Sequence, residues 1–190
     1  MPSRARHHTI VALVEDKPGV LNRIASKWRQ RGFNIESLAV GHSEIPGLSR
    51  MTFTVDGAMH DVDQVTKQLF KVIEVVEIND ITAEDVVARE LALIRVNATA
   101  ETRGPIMEIA QIFRGNIIDV AADSLIIEVT GDEDKIESLY ELLLPYGVKQ
   151  LMRTGRIAMS RGEAGEHQSD NNVRRYKSAG EGKAQVGSLL

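Results

Sequence analysis

Cysteine is absent from this 190-residue chain. That removes disulfides, thiolate nucleophiles and cysteine-held metals, and it fits a reducing compartment such as the cytoplasm. Aromatic residues make up only 4%, too few for the stacking platforms that hold single-stranded nucleic acid. No apolar run approaches the roughly 20 residues that span a bilayer. The basic opening M-P-S-R-A-R-H-H lacks the apolar stretch of a signal peptide. Positive charge is not in excess either, since 23 Lys and Arg face 27 Asp and Glu for a formal net charge of -4. No global field therefore points to nucleic acid or to an anionic membrane as a partner. Phosphate-loop, zinc-protease and nucleophile-elbow patterns are all missing from the sequence.

What is present is an ordinary globular composition, 43% hydrophobic and 26% charged, arranged as a repeat. The run Thr9 to Val14 has the length of a buried strand. Val20, Leu21, Ile24 and Trp28 then recur at helical spacing, and Arg31-Gly32 supplies a stop. Asn34 to Val40 and Met51 to Val55 alternate as strands around a Pro46-Gly47 turn. Val62, Val65, Leu69 and Val72-Ile73 make a second helical stripe, and Val75, Val76 and Ile78 begin a fourth strand. The second half repeats the order. Strands are expected over Leu91 to Val96, Asn116 to Val120 and Ser124 to Val129, with a last strand starting at Val148 to Met152. Helical stripes run through Ile106, Ile109-Ala110 and Phe113, and through Ile136, Leu139 and Leu142-Leu143. Arg114-Gly115 ends a helix as Arg31-Gly32 does.

Two βαββαβ halves predict an α+β fold built of two ferredoxin-like units with antiparallel sheets. The expected division is 1–84, 85–161 and a disordered tail at 162–190, where Gly, Ser, Asn and charge replace the apolar periodicity. Each sheet would carry helices on one face and leave the other open, so pairing between repeats or between subunits is expected.

Two stretches invite a functional reading beside a plain one. In E-D-K-P-G, Asp16 could cap the helix, with Pro18 and Gly19 in its first turn. The same joint offers free N–H groups and a positive dipole end to a carboxylate, with glycine allowing close approach and Asp16 answering an ammonium group. In R-G-F-N-I-E-S-L, Gly32 could be a helix C-cap and Asn34 a turn residue. On an oligomer edge, Asn34 and Ile35 of one chain could instead face the joint of another. His7 and His8 read as a solvated N-terminus, His42 and His60 as loop residues without a nearby carboxylate, and Ser49-Arg50 as a strand start. No structural metal is expected.

The stretches D-K-P-G-V-L at 16–21, R-G-F-N-I-E-S-L at 31–38 and S-R-M-T at 49–52 make the first repeat resemble an ACT domain. With F-R-G-N-I-I-D-V at 113–120 and S-R-G at 160–162, residues 8–161 resemble the small regulatory subunits of acetolactate synthase (acetohydroxyacid synthase). Asp16 and Phe33 stand where many members carry Asn and Tyr.

The resemblance implies a chain without a catalytic site. Such a subunit binds the catalytic large subunit, raises its activity and confers feedback inhibition by valine or another branched-chain amino acid. Thiamine diphosphate, FAD and magnesium would belong to the large subunit. The effector would sit between two N-terminal ACT domains of a homodimer. Asp16, Lys17, Pro18, Gly19, Val20 and Leu21 of one chain would meet Asn34 and Ile35 of the other. Its carboxylate would take N–H groups near Gly19 and Val20, and its side chain would lie on Leu21 and Ile35.

The second repeat has T-R-G-P-I at the equivalent joint and is expected to bind the large subunit or complete the dimer sheet. Three other readings stand beside this one. A free-standing ACT-type amino-acid sensor would act on a different enzyme. A ferredoxin-like enzyme would need a paired acid and base, and none is found. An RNA-binding sheet would need exposed aromatics, and on the central strands of the first sheet only Phe53 is available.

Overall fold

The computed structural model describes residues 7–56 and 62–162, with backbone alone for 62–65. The tail expected to be disordered lies, from residue 163 on, outside the described residues, and so does His60. The described residues divide into two compact units, 7–87 with 158–162, and 88–157.

The first unit runs β1 (His7–Glu15), α1 (Val20–Gln30), β2 (Ile35–His42), β3 (Leu48–Asp56), α2 (Val62–Leu69) and β4 (Val75–Asp80). Its sheet has the order β2-β3-β1-β4, all antiparallel. Register explains the core. Ile10 lies opposite Phe53 and Ala12 opposite Met51, while Leu38 flanks Phe53 on the β2 side. These side chains share the face that receives α1 and α2, because paired residues of a ladder point the same way. Val20, Ile24 and Trp28, spaced by four, form the buried stripe of α1. Trp28 is fully buried and meets Phe33 edge-on at 5.3 Å and Phe53 at 5.8 Å. The opposite sheet face carries the β-branched residues Thr9, Val11, Thr52 and Thr54.

The second unit repeats the plan with β5 (Val86–Asn97), which begins at the junction, α3 (Arg103–Ile112), β6 (Asn116–Val120), β7 (Ser124–Gly131), α4 (Glu133–Leu143), a 3-10 turn at Leu144–Tyr146 and β8 (Val148–Arg153). Sheet order is β6-β7-β5-β8, the same circuit as in the first unit. Ala92, Ile94 and Val96 of β5 and Leu125, Ile127 and Val129 of β7 form the floor on which Ile106, Ala110, Ile136, Leu139 and Leu143 pack. The two antiparallel ferredoxin-like units are those expected from the repeat.

Several expectations need correction. The strand at Val148 is not the last, because β9 (Ile157–Ser160) follows and pairs with β5. β5 is twelve residues long rather than six. Leu21 and Ile73, read as members of helical stripes, are 40% and 79% exposed. The two Arg-Gly helix ends also differ. Gly32 takes the left-handed conformation at φ 76, but in the second unit Arg114 takes it at φ 53. Gly115 is instead needed for space, since a Cβ there would stand 3.2 Å from the Glu128 carbonyl and 3.3 Å from that of Ala110.

Candidate functional site

The joint between β1 and α1 is a turn before it is a helix. The Lys17 carbonyl accepts the Val20 N–H at 3.4 Å. Between them stand Pro18 and Gly19, and Gly19 has φ 86 and ψ -6. Proline second and a left-handed residue third define a type II turn. Gly19 is then the residue before the first helical position, with no side chain capping the helix. This corrects the plain reading of the joint. Asp16 does not cap α1, and Pro18 and Gly19 precede its first turn. The glycine answers first to backbone conformation, because an L side chain at that φ is strained.

Asp16 is exposed and held by its backbone, whose N–H donates to the Gly47 carbonyl at 2.9 Å. Its carboxylate lies 3.3 Å from His42 Nδ1 at the end of β2, a neighbour that spacing along the chain does not reveal. His7 and His8 are likewise not free: they begin β1, and their rings meet Glu36 at 2.5 Å and Asp80 at 2.7 Å. Lys17 pairs with Glu15 at 2.6 Å. Val20 is buried in the core and offers backbone alone, whereas Leu21 presents an exposed apolar side chain.

The donors follow from helix geometry. The first N–H groups of any helix lack intrahelical acceptors. Here Val20 spends its N–H on Lys17, and Arg23 closes the first helical bond onto the Gly19 carbonyl at 3.1 Å. The N–H groups of Gly19, Leu21 and Asn22 have no acceptor among the described residues. The open donors at the joint are therefore those of Gly19, Leu21 and Asn22. A cation stands beside them. Arg23 Nη2 would be 4.0 Å from a Cβ placed on Gly19, and it pairs with Glu74 Oε1 at 3.0 Å. Sequence reasoning passed over Arg23, although its place one turn beyond Gly19 was a signal.

Asn34 is exposed, and Ile35 is half-buried against the first core. They follow the C-terminal end of α1. Eleven residues at a rise of 1.5 Å make that helix about 16 Å long. One chain thus puts the joint and the Asn34-Ile35 pair at opposite ends of α1 and does not bring them together. Among the described residues no three His, Asp or Glu side chains gather in the manner of a metal site, and no helix is long and apolar enough to cross a membrane.

The two halves match two family profiles, "AHAS small subunit-like ACT domain" over residues 10–77 and "Small subunit of acetolactate synthase" over residues 89–162. The chain belongs to the acetolactate synthase small-subunit family. A probable acetolactate synthase small subunit of Archaeoglobus fulgidus is 57% identical over 155 residues, covering 82% of this chain and 97% of that one. The Bacillus subtilis acetolactate synthase small subunit is 46% identical over 165 residues, covering 86% and 96%. The crystal structure of the Thermotoga maritima small subunit superposes with a TM-score of 0.75 at 41% identity, covering 82% of this chain and 98% of that one. Membership of the family implies a regulatory role and a catalytic large subunit as partner. The likeness extends through both units, so the joint described above is the joint of a family ACT domain.

Proposed function

We propose that this chain is the non-catalytic regulatory subunit of acetolactate synthase. It activates the catalytic large subunit, which carries the thiamine diphosphate, FAD and magnesium, and it confers feedback inhibition by valine or another branched-chain amino acid in the cytoplasm. The observation that carries the effector site is the cluster of unpaired N–H groups at Gly19, Leu21 and Asn22 beside the Arg23 guanidinium. A carboxylate suits both. Asp16 supplies a partner for the ammonium group, and Leu21 an apolar surface for the side chain.

The site is half a site. The β2 strand is an edge of its sheet, and an edge invites pairing with another strand. A homodimer formed there would bring Asn34 and Ile35 of one chain to the joint of the next. An effector bound across that interface favours one arrangement of the pair, and that arrangement holds the large subunit less active. The coupling needed is about 1–3 kcal/mol.

Gly19→Asp tests this in the reconstituted two-subunit enzyme. A carboxylate at 19 competes for Arg23 and repels the effector, so inhibition by valine should weaken at least about tenfold, which corresponds to 1.4 kcal/mol, while activation persists. Gly19→Asn tolerates the left-handed backbone better and separates strain from charge. Loss of activation together with inhibition would assign the joint to folding alone.

A further inference from the structure

A groove of about 480 Å³ lies between α1 and the segment that leads from α2 into β4. It is on the α2 side of α1, made within one chain, and includes neither Asn34 nor Ile35. Glu74, only 8% exposed, lines it. Glu74 Oε1 is held by Arg23, but Oε2 is buried and has no hydrogen-bond partner. An unpaired buried carboxylate oxygen is costly, and an N–H donor that reaches it from the groove as the side chain turns would relieve that cost. The rim is basic, with Lys27 from α1 and Lys71 after α2. Val72 and Ile73 add hydrocarbon, and Ile73 is 79% exposed, the most exposed large apolar side chain among the described residues.

We propose that this groove is a second amino-acid site, complete in a single chain, for a zwitterion with an apolar side chain. The ligand's ammonium group donates to Glu74 Oε2. Its carboxylate lies between Lys27 and Lys71, and its side chain covers Ile73. Each of the three chemical demands of the groove is met by one part of the same small molecule, whereas an inorganic anion would meet Glu74 unfavourably. Arg23 lines the groove and also stands beside Gly19, so it is the group through which occupancy here reaches the joint. The proposal takes its ligand class from the effector reading above, but it shares neither the interface nor the backbone donors of that site.

The test is amide chemical-shift titration of the full chain with L-valine, L-leucine and L-isoleucine. Ser26, Gln68 and Ile73 should shift and saturate with at least one of the three. They should do so equally in Asn34→Ala, which removes only the interface contact. Glu74→Gln should weaken that response at least tenfold, and so should the surface pair Lys27→Ala with Lys71→Ala, whose folding is not at stake. The proposal is overturned if those amides stay still up to the solubility of all three amino acids. It is equally overturned if they move in both variants as they do in the unaltered chain, or if they respond only to the large subunit. Shifts at Ser26 and Ile73 with none at Gly19 or Leu21 would leave the groove standing and remove the interface site.

Discussion

The two βα joints of this molecule have the same place in the same circuit and are built from different turns. In the second unit, Thr99 and Thr102 lock each other: the Thr99 N–H donates to Thr102 Oγ1 at 2.9 Å, and the Thr102 N–H to Thr99 Oγ1 at 3.2 Å. Arg103 folds its guanidinium onto the Ala121 and Ala122 carbonyls at 2.8 and 3.1 Å. That joint ties the Thr99 and Thr102 N–H groups to side-chain oxygens and its arginine to carbonyls, while the N–H groups of Ala100, Glu101 and Gly104 have no acceptor among the described residues. In the first unit a Pro-Gly turn occupies the same place, and the N–H groups of Gly19, Leu21 and Asn22 have no acceptor among the described residues. The cations differ: Arg103 is spent on two carbonyls, whereas Arg23 stands beside Gly19 and pairs with Glu74.

The cores differ as well, and the largest expected effect exploits this. Trp28, buried between Phe33 and Phe53, has no aromatic counterpart among the fully buried residues of the second core. Trp28→Ala should cost about 3–5 kcal/mol in denaturant unfolding. Hydrogen exchange should place the loss in β1, β3 and α1 and spare β5 and β7. Uniform loss would show that the two units unfold as one.

The joints themselves give the next effect, with opposite signs. Gly19→Ala forces an L side chain to φ 86 and should destabilise by about 1–2 kcal/mol. Gly104→Ala sits inside α3 with nothing within 4 Å of the new Cβ and should stabilise by about 0.5–1 kcal/mol. Thermal melts of the two variants should move apart.

The smallest effect is electrostatic. Burial pushes the Glu90 carboxyl above its ordinary 4.5, partly offset by Arg153, whose Nη1 lies 3.9 Å away. A raised carboxyl pKa means the folded state holds the proton more tightly than the unfolded state. Its contribution therefore falls as pH rises from 4.5 through the folded value. Asp123, held low by its hydrogen bond from Lys149 at 2.9 Å, acts the other way and loses its contribution as pH drops below 3.8. Glu90→Gln should remove the first slope and leave the second, as read by melts between pH 3 and 7.

How much of this could be read from residues alone depends on what kind of information each feature needs. Strands such as the M-T-F-T-V run at 51–55 announce themselves because alternation is local, and the repeat makes the circuit plain. The N-terminal half of β5 is hidden from the residues because Arg89 and Glu90 break its apolar run, yet Glu90 is buried in the fold. β9 is four residues long, too brief for a period. The joint was legible as a place, from Asp16 to Leu21. Its neighbours His42 and Glu74 come from distant segments, and only the ladder registers bring them in. Gly19 illustrates the limit best. The sequence marks a glycine after a proline, but whether space or backbone angle demands it is decided by a φ value.

The open donors at Gly19, Leu21 and Asn22 belong to the main chain, and every residue type except proline carries one. No ordinary substitution can delete them. If an amino acid is held there, escape from inhibition cannot come by erasing a contact in the way a lost hydroxyl or guanidinium would allow. It must come by obstruction, by bending the turn, or by separating the two chains. Selection for resistance would then gather at small residues that gain bulk and at the edge of β2, and would pass over residues whose side chains make no approach to the ligand.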